Sequence, residues 1–504
     1  MLADVLRRHV AEDAPGAVVA VLHNGQWSCA ARGLASLEHR RPITPDTVFD
    51  IASVSKQMTS AVAVALSHSG EFDLDSDTRG LVPELDVGVR ITFRDCLQHL
   101  AGLPDYLTMC AARGDHLGDL SGDRGFTSVL QEVRRPSFVP RARVQYSNTG
   151  YVLTALAIHR ATGQRLDQQM RRLIFEPLGM SRSRVRDVLG LVVRDMAFSY
   201  SSDGSGALVR EEMPLVQFGD GAVQTTAEDL CRWHAFLRDG QVLGVEVRDE
   251  LATPGRLTDG SPTRYGLGLM LGQHRGSPVM EHSGGMYGYR SHLVSIPEVE
   301  IGVSVLANTH TVPARSIAWT VIGQVLQEPG MVGSPPPADV LGTWFSPRDH
   351  QVIDLQVSPD GGLRYTDGYG THDVLDTEPD AWCDQARYVS LRVRGDLVER
   401  EDRLGDRVDF IRLAEGAPVA RPPSGRYECD LDRVAVLVRA RGDDLEVRCG
   451  RAAPRRLRWR GRAGTDDVYA SGDMTVVASP ERGEGGFALT VEDLRLTCRP
   501  AQPS

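Results

Sequence analysis

The spacing of apolar residues changes character along the chain, and the changes predict where strands and helices fall. Ala17 to Leu22 is an apolar run of strand length, Gln26 to Arg32 is a second strand-like segment, and His23-Asn24-Gly25 between them is a hairpin signal. Helical segments follow over Ser53 to His68, Thr92 to Leu100, Thr149 to Thr162 and Thr226 to Leu237; the second opens on Thr92 and Asp95 at the spacing of a capping box. From Val279 to Asn308 strand character returns, with Gly302-Val-Ser-Val-Leu-Ala307 reading as a buried strand. Up to about residue 330 this mixture predicts an α+β domain with helices on both sides of an antiparallel sheet.

The run Gly330-Met-Val-Gly-Ser-Pro-Pro-Pro-Ala338 cannot continue a helix and suits an extended linker. Beyond it come short alternating segments punctuated by Gly and Asp, among them Asp354 to Val357, Tyr388 to Val393 and Val434 to Ala440, which predict all-β structure. A second proline cluster, Arg421-Pro-Pro-Ser424, divides this part. Its halves open alike, on Leu341-Gly-Thr-Trp344 and Ser424-Gly-Arg-Tyr427, and close on similar strands, Val408 to Leu413 and Leu494 to Cys498. The expected organisation is a first domain over 1–332 and two small antiparallel β-barrels over 339–417 and 424–504; a single sandwich with a proline-rich loop is the alternative.

Composition narrows the class. With 41% hydrophobic residues and a formal net charge of -11, the 504-residue chain can bury ordinary cores but offers no basic stripe to a polyanion, which argues against nucleic acid as a partner. The N-terminal stretch has arginine and acidic residues where a secretory leader needs its apolar centre, and no later run reaches the roughly 20 apolar residues of a membrane span, so the sequence reads as cytoplasmic, with no membrane partner. Eight cysteines lack CxxC or Cys/His ligand spacing, the pattern of reduced structural thiols, and no metal site is expected. A sharper fact is that of 56 Lys and Arg residues only Lys56 is lysine. Exposed salt bridges tolerate arginine, whereas a group that must lose and regain a proton near neutral pH cannot be a guanidinium. Coding bias that spared one lysine by accident is the competing explanation.

Lys56 stands in Ser53-Val-Ser-Lys56. Positions three apart on a helix put the Ser53 hydroxyl and the Lys56 amine on one face within hydrogen-bonding reach, a nucleophile with its base. At a helix N-terminus the Ser53 N–H is also available to a developing oxyanion. In Tyr146-Ser-Asn148, a turn before an apolar helix, the phenol can share the proton of acylation and return it to a leaving amine, while the Asn148 amide orients Lys56 and a substrate carbonyl. In Glu281-His282-Ser-Gly284-Gly285, the small residues Gly284 and Gly285 let substrate backbone lie along a strand edge. There the Gly285 N–H is a second candidate oxyanion donor, and His282 can contribute charge or hydrogen bonding without being the primary base. Singly these segments read as a chance spacing, a helix cap and a glycine-rich hairpin; in this order they are what a serine-lysine-tyrosine hydrolase needs. Arg290 is a candidate for meeting a substrate carboxylate or carbonyl, with a surface salt bridge as its alternative.

Together the three segments resemble the SxxK, YxN and [KH]xG elements of the penicillin-recognising serine hydrolases, the superfamily of penicillin-binding proteins and class C β-lactamases (peptidase S12). His99-Leu-Ala-Gly-Leu-Pro-Asp105, Ile174-Phe-Glu-Pro-Leu-Gly-Met180 and Gly221-Ala-Val-Gln-Thr-Thr-Ala-Glu-Asp-Leu230 resemble further family segments, so six ordered elements agree over roughly residues 1 to 330. Within the superfamily, the histidine of the third motif, the two appended β domains, Tyr265-Gly-Leu-Gly-Leu269 and Gly288-Tyr-Arg290 are most similar to bacterial D-aminopeptidases. That resemblance implies a catalytic α+β domain followed by two β-barrels, release of N-terminal D-residues such as D-alanine from small peptides and amides, no cofactor, a homodimer, and β-lactams as candidate inhibitors. It also implies a loop of the last β domain that selects the free α-amino group. Here that loop is Ala470-Ser-Gly-Asp473-Met474, which looks shortened, with Asp473 as the candidate carboxylate and a solvated turn residue as the alternative. A roomier pocket would make the chain a D-amino-acid amidase, esterase or β-lactamase-like hydrolase. A non-catalytic binding protein is a third reading, and the complete set of Ser53, Lys56 and Tyr146 counts against it. Lys56→Arg is expected to fold nearly as the parent and to lose turnover.

Overall fold

The hairpin signal at 23–25 folds β1 (Ala17–His23) back onto β2 (Gln26–Arg32), pairing Ala17 with Arg32 and His23 with Gln26. The later strands β3 (Met270–His274), β4 (Ser277–Met286), β5 (Tyr289–Ile296) and β6 (Ile301–Ala307) complete a six-stranded antiparallel sheet in the order β3-β4-β5-β6-β1-β2. The computed structural model describes residues 1–115, 117–120, 122–203, 205–216, 219–328, 335–359, 361–367, 370–378, 381–383, 389–394, 396–414, 418, 422, 424–429, 435–450, 452–463, 466–472, 474–479, 487–491 and 494–501. Linker residues 330–334, positions 388, 421, 423 and 434, and Asp473 lie outside the described residues.

Register decides which residues share a face of the sheet: His282 pairs with Leu293, Leu293 with Ser304, and Ser304 with Ala20. On this face lies α5 (Ala227–Asp239); the chain also forms the helices α1 (Leu2–His9), α2 (Lys56–His68), α3 (Phe93–Leu97), α4 (Thr149–Thr162) and α6 (Ala314–Val325). Its His234 bonds Ser295 Oγ and, at 2.8 Å, Ser304 Oγ. The opposite face carries Glu281 and His292, paired at 2.9 Å, with Trp319 of α6 donating to Glu281 at 3.2 Å. Helices therefore cover both faces, and β1 and β6 are buried throughout except at His23.

Two elements end or begin differently from the sequence expectation. The helix expected from Ser53 is a 3-10 turn over Ala52–Ser55, with α2 starting at Lys56. The helix expected to Leu100 opens with the Thr92–Asp95 capping box but stops at Leu97, because His99 turns the chain through a left-handed conformation (φ 59°).

Contacts divide the chain into Met1–Leu103 with Leu120–Gly330, and Pro104–Asp119 with Met331–Ser504. The second unit holds two closed eight-stranded antiparallel barrels. The first runs from Gly342–Phe345 to Arg407–Arg412 and closes by Trp344↔Arg412 and Phe345↔Ile411; the second runs from Gly425–Cys429 to Leu494–Pro500 and closes by Tyr427↔Pro500, Glu428↔Arg499 and Cys429↔Cys498. The repeated Gly-x-aromatic opening has a packing role: Trp344 and Tyr427 are both buried in their barrel's core. Phe345, Leu413, Val468, Val477 and Ala488 form a further apolar cluster shared by the two barrels. Among the described residues no helix is long and apolar enough to cross a membrane.

Candidate active site

The turn that carries Ser53 is fixed by backbone. The short strand Phe49–Asp50 pairs with Val223–Thr225, the Ile51 N–H donates to the Val223 carbonyl at 2.9 Å, and Asp50 Oδ1 accepts from the Ala52 N–H at 2.9 Å. This last bond steadies Ala52 in a left-handed conformation (φ 47°), a costly position for a residue with a side chain. Asp50 is held in turn by Arg186 at 3.1 Å, both carboxylate and guanidinium being almost wholly buried. The turn then presses on strand β4. Ser291 Oγ donates to the Ile51 carbonyl at 2.7 Å, and a Cβ on Gly284 would stand 2.2 Å from that same oxygen. Only glycine at 284 lets the turn lie this close. Ser53 is partly exposed while both chain neighbours are buried, and its N–H precedes the first i→i+3 bond of the turn, Val54 N–H to Ile51 carbonyl at 3.1 Å.

Lys56 is completely buried, and its amine meets three oxygens: Ser53 Oγ at 2.9 Å, Asn148 Oδ1 at 2.8 Å and the Asp220 carbonyl at 2.6 Å. Segment 219–223 delivers that carbonyl because it is strapped to the start of α2, the Val223 N–H donating to Ser55 Oγ (3.1 Å) and Thr59 Oγ1 donating to the Gly219 carbonyl (2.7 Å). Asn148 sits at the N-cap of α4 yet makes no capping bond with its side chain; its amide oxygen is committed to Lys56. A carbonyl and an amide oxygen can only accept. They take two amine N–H groups and leave the third direction, toward Ser53 Oγ, to a lone pair in the amine or an N–H in the ammonium. The same heavy-atom geometry thus serves both ends of a proton transfer from Ser53. Tyr146, partly exposed, places its ring centroid 5.0 Å from Lys56 Nζ.

His282 lies 6.2 Å from Tyr146, centroid to centroid, on β4. Its Nδ1 is 2.7 Å from the Ser283 carbonyl and its Nε2 is 2.9 Å from Tyr265 Oη. The carbonyl requires a proton on Nδ1, and Nε2 shares a hydrogen bond with the Tyr265 phenol, so both nitrogens of the buried ring are engaged. Of the contributions expected of His282, hydrogen bonding is made at both ring nitrogens. Gly285, on the same strand, is exposed, and Arg290, opposite it on β5, lies across it with Nη1 2.9 Å from where a Gly285 Cβ would be. Arg290 Nη1 also donates to the Tyr289 carbonyl at 2.9 Å, and burial pulls the guanidinium below its ordinary range. Among the described residues no carboxylate pairs with Arg290. Asp473 is outside the described residues; around it Ser471 pairs with Met474.

Sequence reading did not single out Asp220, Asp50 or Tyr151. Asp220 contributes a main-chain carbonyl, which leaves no side-chain signature, and Asp50 acts through a turn rather than on the reacting atoms. Tyr151 lies one helical turn beyond Asn148 and its ring centroid is 5.3 Å from Lys56 Nζ. Its hydroxyl donates to the Leu97 carbonyl at 2.7 Å, and burial pushes its pKa well up, keeping it a neutral phenol. Its proximity to the YxN segment was the available signal.

A serine on a tight turn, bonded to a buried lysine, pressed against an antiparallel sheet and faced by tyrosine and asparagine from a helix entry, defines the class of penicillin-recognising serine hydrolases. The Beta-lactamase family profile matches residues 2–327, and the chain belongs to that family. It is 27% identical over 373 residues to a D-aminopeptidase of Gluconobacter oxydans, covering 70% of this chain and 67% of that one. It is 26% identical over 400 residues to a D-aminopeptidase of Brucella canis, covering 76% and 73%. Among solved structures, an octameric penicillin-binding protein homologue from Pyrococcus abyssi shares the fold with a TM-score of 0.59 at 22% identity, over 82% of this chain and 99% of that one.

Proposed function

We propose that this chain releases N-terminal D-amino acids of the D-alanine kind from small peptides and amides through an acyl-enzyme on Ser53. The observation that carries the hydrolase reading is the Lys56 amine, aimed at Ser53 Oγ by two pure acceptors. Ser53 Oγ attacks the carbonyl of the first residue as its proton passes to Lys56. The Ser53 and Gly285 N–H groups receive the oxyanion; as the C–N bond breaks, Tyr146 gives its proton to the departing amine and is reprotonated by the Lys56 ammonium. Water then adds to the acyl ester as its proton passes to the same pair, and the acid leaves as that proton returns to Ser53 Oγ. The preference for D-residues rests on the relatives named D-aminopeptidase; the similarity to the Brucella protein covers 76% of this chain, more than residues 2–327, and so extends toward the barrels. A β-lactam presents Ser53 with the same kind of carbonyl and is expected to acylate it.

One observation favours a second reading, a D-amino-acid amidase or esterase indifferent to the free amine. The strands of the candidate selecting loop pair as far as Ser471 and Met474, leaving two residues between them. Chromophore release from D-alanine, L-alanine and N-acetyl-D-alanine p-nitroanilides, beside a Ser53→Ala control, separates the readings. Preference for the free D-amine supports the aminopeptidase, equal turnover of the acetylated compound replaces it with the amidase, and activity surviving in Ser53→Ala discards Ser53 as nucleophile.

A further inference from the structure

The mechanism above uses Tyr146, which stands on a turn and must be held while it exchanges a proton. The residue that holds it comes from another part of the chain. His99 accepts from the backbone on both sides of Tyr146: its carbonyl oxygen takes the Gln145 N–H at 2.9 Å, and its ring Nδ1 takes the Ser147 N–H at 3.1 Å. Its imidazole also stacks on the Tyr146 phenol, with centroids 4.3 Å apart and planes tilted by 39°. The ring is itself wedged between Tyr265 (4.5 Å) and Tyr151 (5.4 Å) and is 2% exposed. A left-handed backbone (φ 59°) at a non-glycine residue lets carbonyl and ring reach the two flanking amides together. Because an amide N–H donates to Nδ1, that nitrogen carries no proton.

We infer that His99 is the positioning residue for Tyr146, a two-point clamp on the amides of residues 145 and 147 whose ring sets the plane of the phenol. The inference rests on reading Tyr146 as the proton donor to the leaving group. It predicts a specific defect, since a misplaced phenol matters for an amine that must leave protonated and little for a leaving group that departs as an anion. General damage to the site would slow both.

The test compares D-alanine p-nitroanilide with p-nitrophenyl acetate in the full-length enzyme, its His99→Ala and His99→Asn variants, and Tyr146→Phe. His99→Ala is expected to lower kcat on the anilide by about 10²-fold, with KM within a few-fold, and to lower ester turnover by less than about tenfold. His99→Asn is expected to restore most of the anilide rate, because asparagine tolerates the left-handed backbone and its Oδ1 can accept the Ser147 N–H in place of Nδ1. Adding His99→Ala to Tyr146→Phe should cost nothing further on the anilide. Equal losses on anilide and ester, an unaffected His99→Ala, or a His99→Asn as slow as His99→Ala would overturn the clamp. A Tyr146→Phe enzyme fully active on the anilide would remove the role of Tyr146 itself, and the clamp with it. Should His99→Ala not fold, the asparagine variant and the Tyr146→Phe background still decide the matter. If the wild type ignores the D-alanine anilide yet cleaves the ester through Ser53, the D-aminopeptidase reading fails separately, and the same comparison is run on the acetylated anilide.

Discussion

At Lys56, two of the three directions of the amine end on oxygens that cannot give up a proton, so its proton traffic runs through the third direction, on the Ser53 side. A guanidinium cannot accept that proton, and Lys56→Arg is expected to lower kcat on a p-nitroanilide substrate by about 10²- to 10⁴-fold. The structure revises the companion expectation that folding is nearly untouched. Lys56 is 0% exposed, and a larger planar group in a filled site costs about 1–3 kcal/mol, to be read as a lower midpoint in urea with an unchanged slope. The lysine was legible because composition isolated it: one amine among 56 cationic side chains. The Asp220 carbonyl that orients it was not, since any residue supplies a carbonyl and only the strap of 219–223 onto α2 decides which one arrives.

Between elements, the site depends on how closely the Ser53 turn approaches β4. Gly284→Ala would put a methyl 2.2 Å from the Ile51 carbonyl and 2.3 Å from Ser291 Oγ, contacts that only a shift of the turn can relieve. Displacement of a nucleophile by about 1 Å costs on the order of 10²-fold, so Gly284→Ala is expected to lose at least that in kcat/KM, measured on anilide and ester alike. A second contact between elements responds to pH. His234 of α5, wedged against the sheet at Ser295 and Ser304, is held neutral by burial, its pKa lowered to about 3 from an ordinary 6.5. The unfolded chain binds the proton that the folded chain refuses, so stability is full above pH 6.5 and falls as pH drops from 6.5 toward 3, by up to about 1.4 kcal/mol per unit from this residue. Buried His292, also lowered, adds to the same trend. Urea melts between pH 7 and 4 should show a shallower loss in His234→Gln than in the parent; parallel curves would exclude His234 as a source. The sheet and its covering helices could be read from runs such as Ala17 to Leu22 and Gly302 to Ala307. The reason for Gly284 could not, because it lies in residues 51 and 291, and the strain at Ala52 and His99 has no apolar period to announce it.

At the scale of the whole molecule, linker composition and the repeated Gly-x-aromatic openings pointed to two β-barrels after the first unit, and the fold has that class. The sequence pattern gave no sign that Pro104–Asp119, continuous with the family's leucine-glycine-leucine-proline turn, would group with the barrels rather than with the chain on either side. Its helix, Tyr106–Arg113, looks by composition like any other amphipathic helix, and its grouping is a matter of tertiary contact: a Cβ on Gly450 of the second barrel would stand 2.2 Å from the Arg113 carbonyl. The two units are therefore exchanged at the level of the chain, the first being interrupted by a segment of the second. A fragment ending at Glu328 keeps Ser53, Lys56, Tyr146 and His282 but strips Pro104–Asp119 of the barrel it packs on, and each Å² of apolar surface uncovered by that loss costs about 25 cal/mol. For a chain of this length each kcal/mol lost lowers the melting point by about 2–4 °C or less. The fragment is expected to melt several degrees below the full chain or to accumulate insoluble, and its turnover of p-nitrophenyl acetate should fall in step with its folded fraction. A soluble fragment with the parent's melting point and full ester turnover would show instead that the Ser53 unit is self-sufficient and that 104–119 merely rests on the barrel.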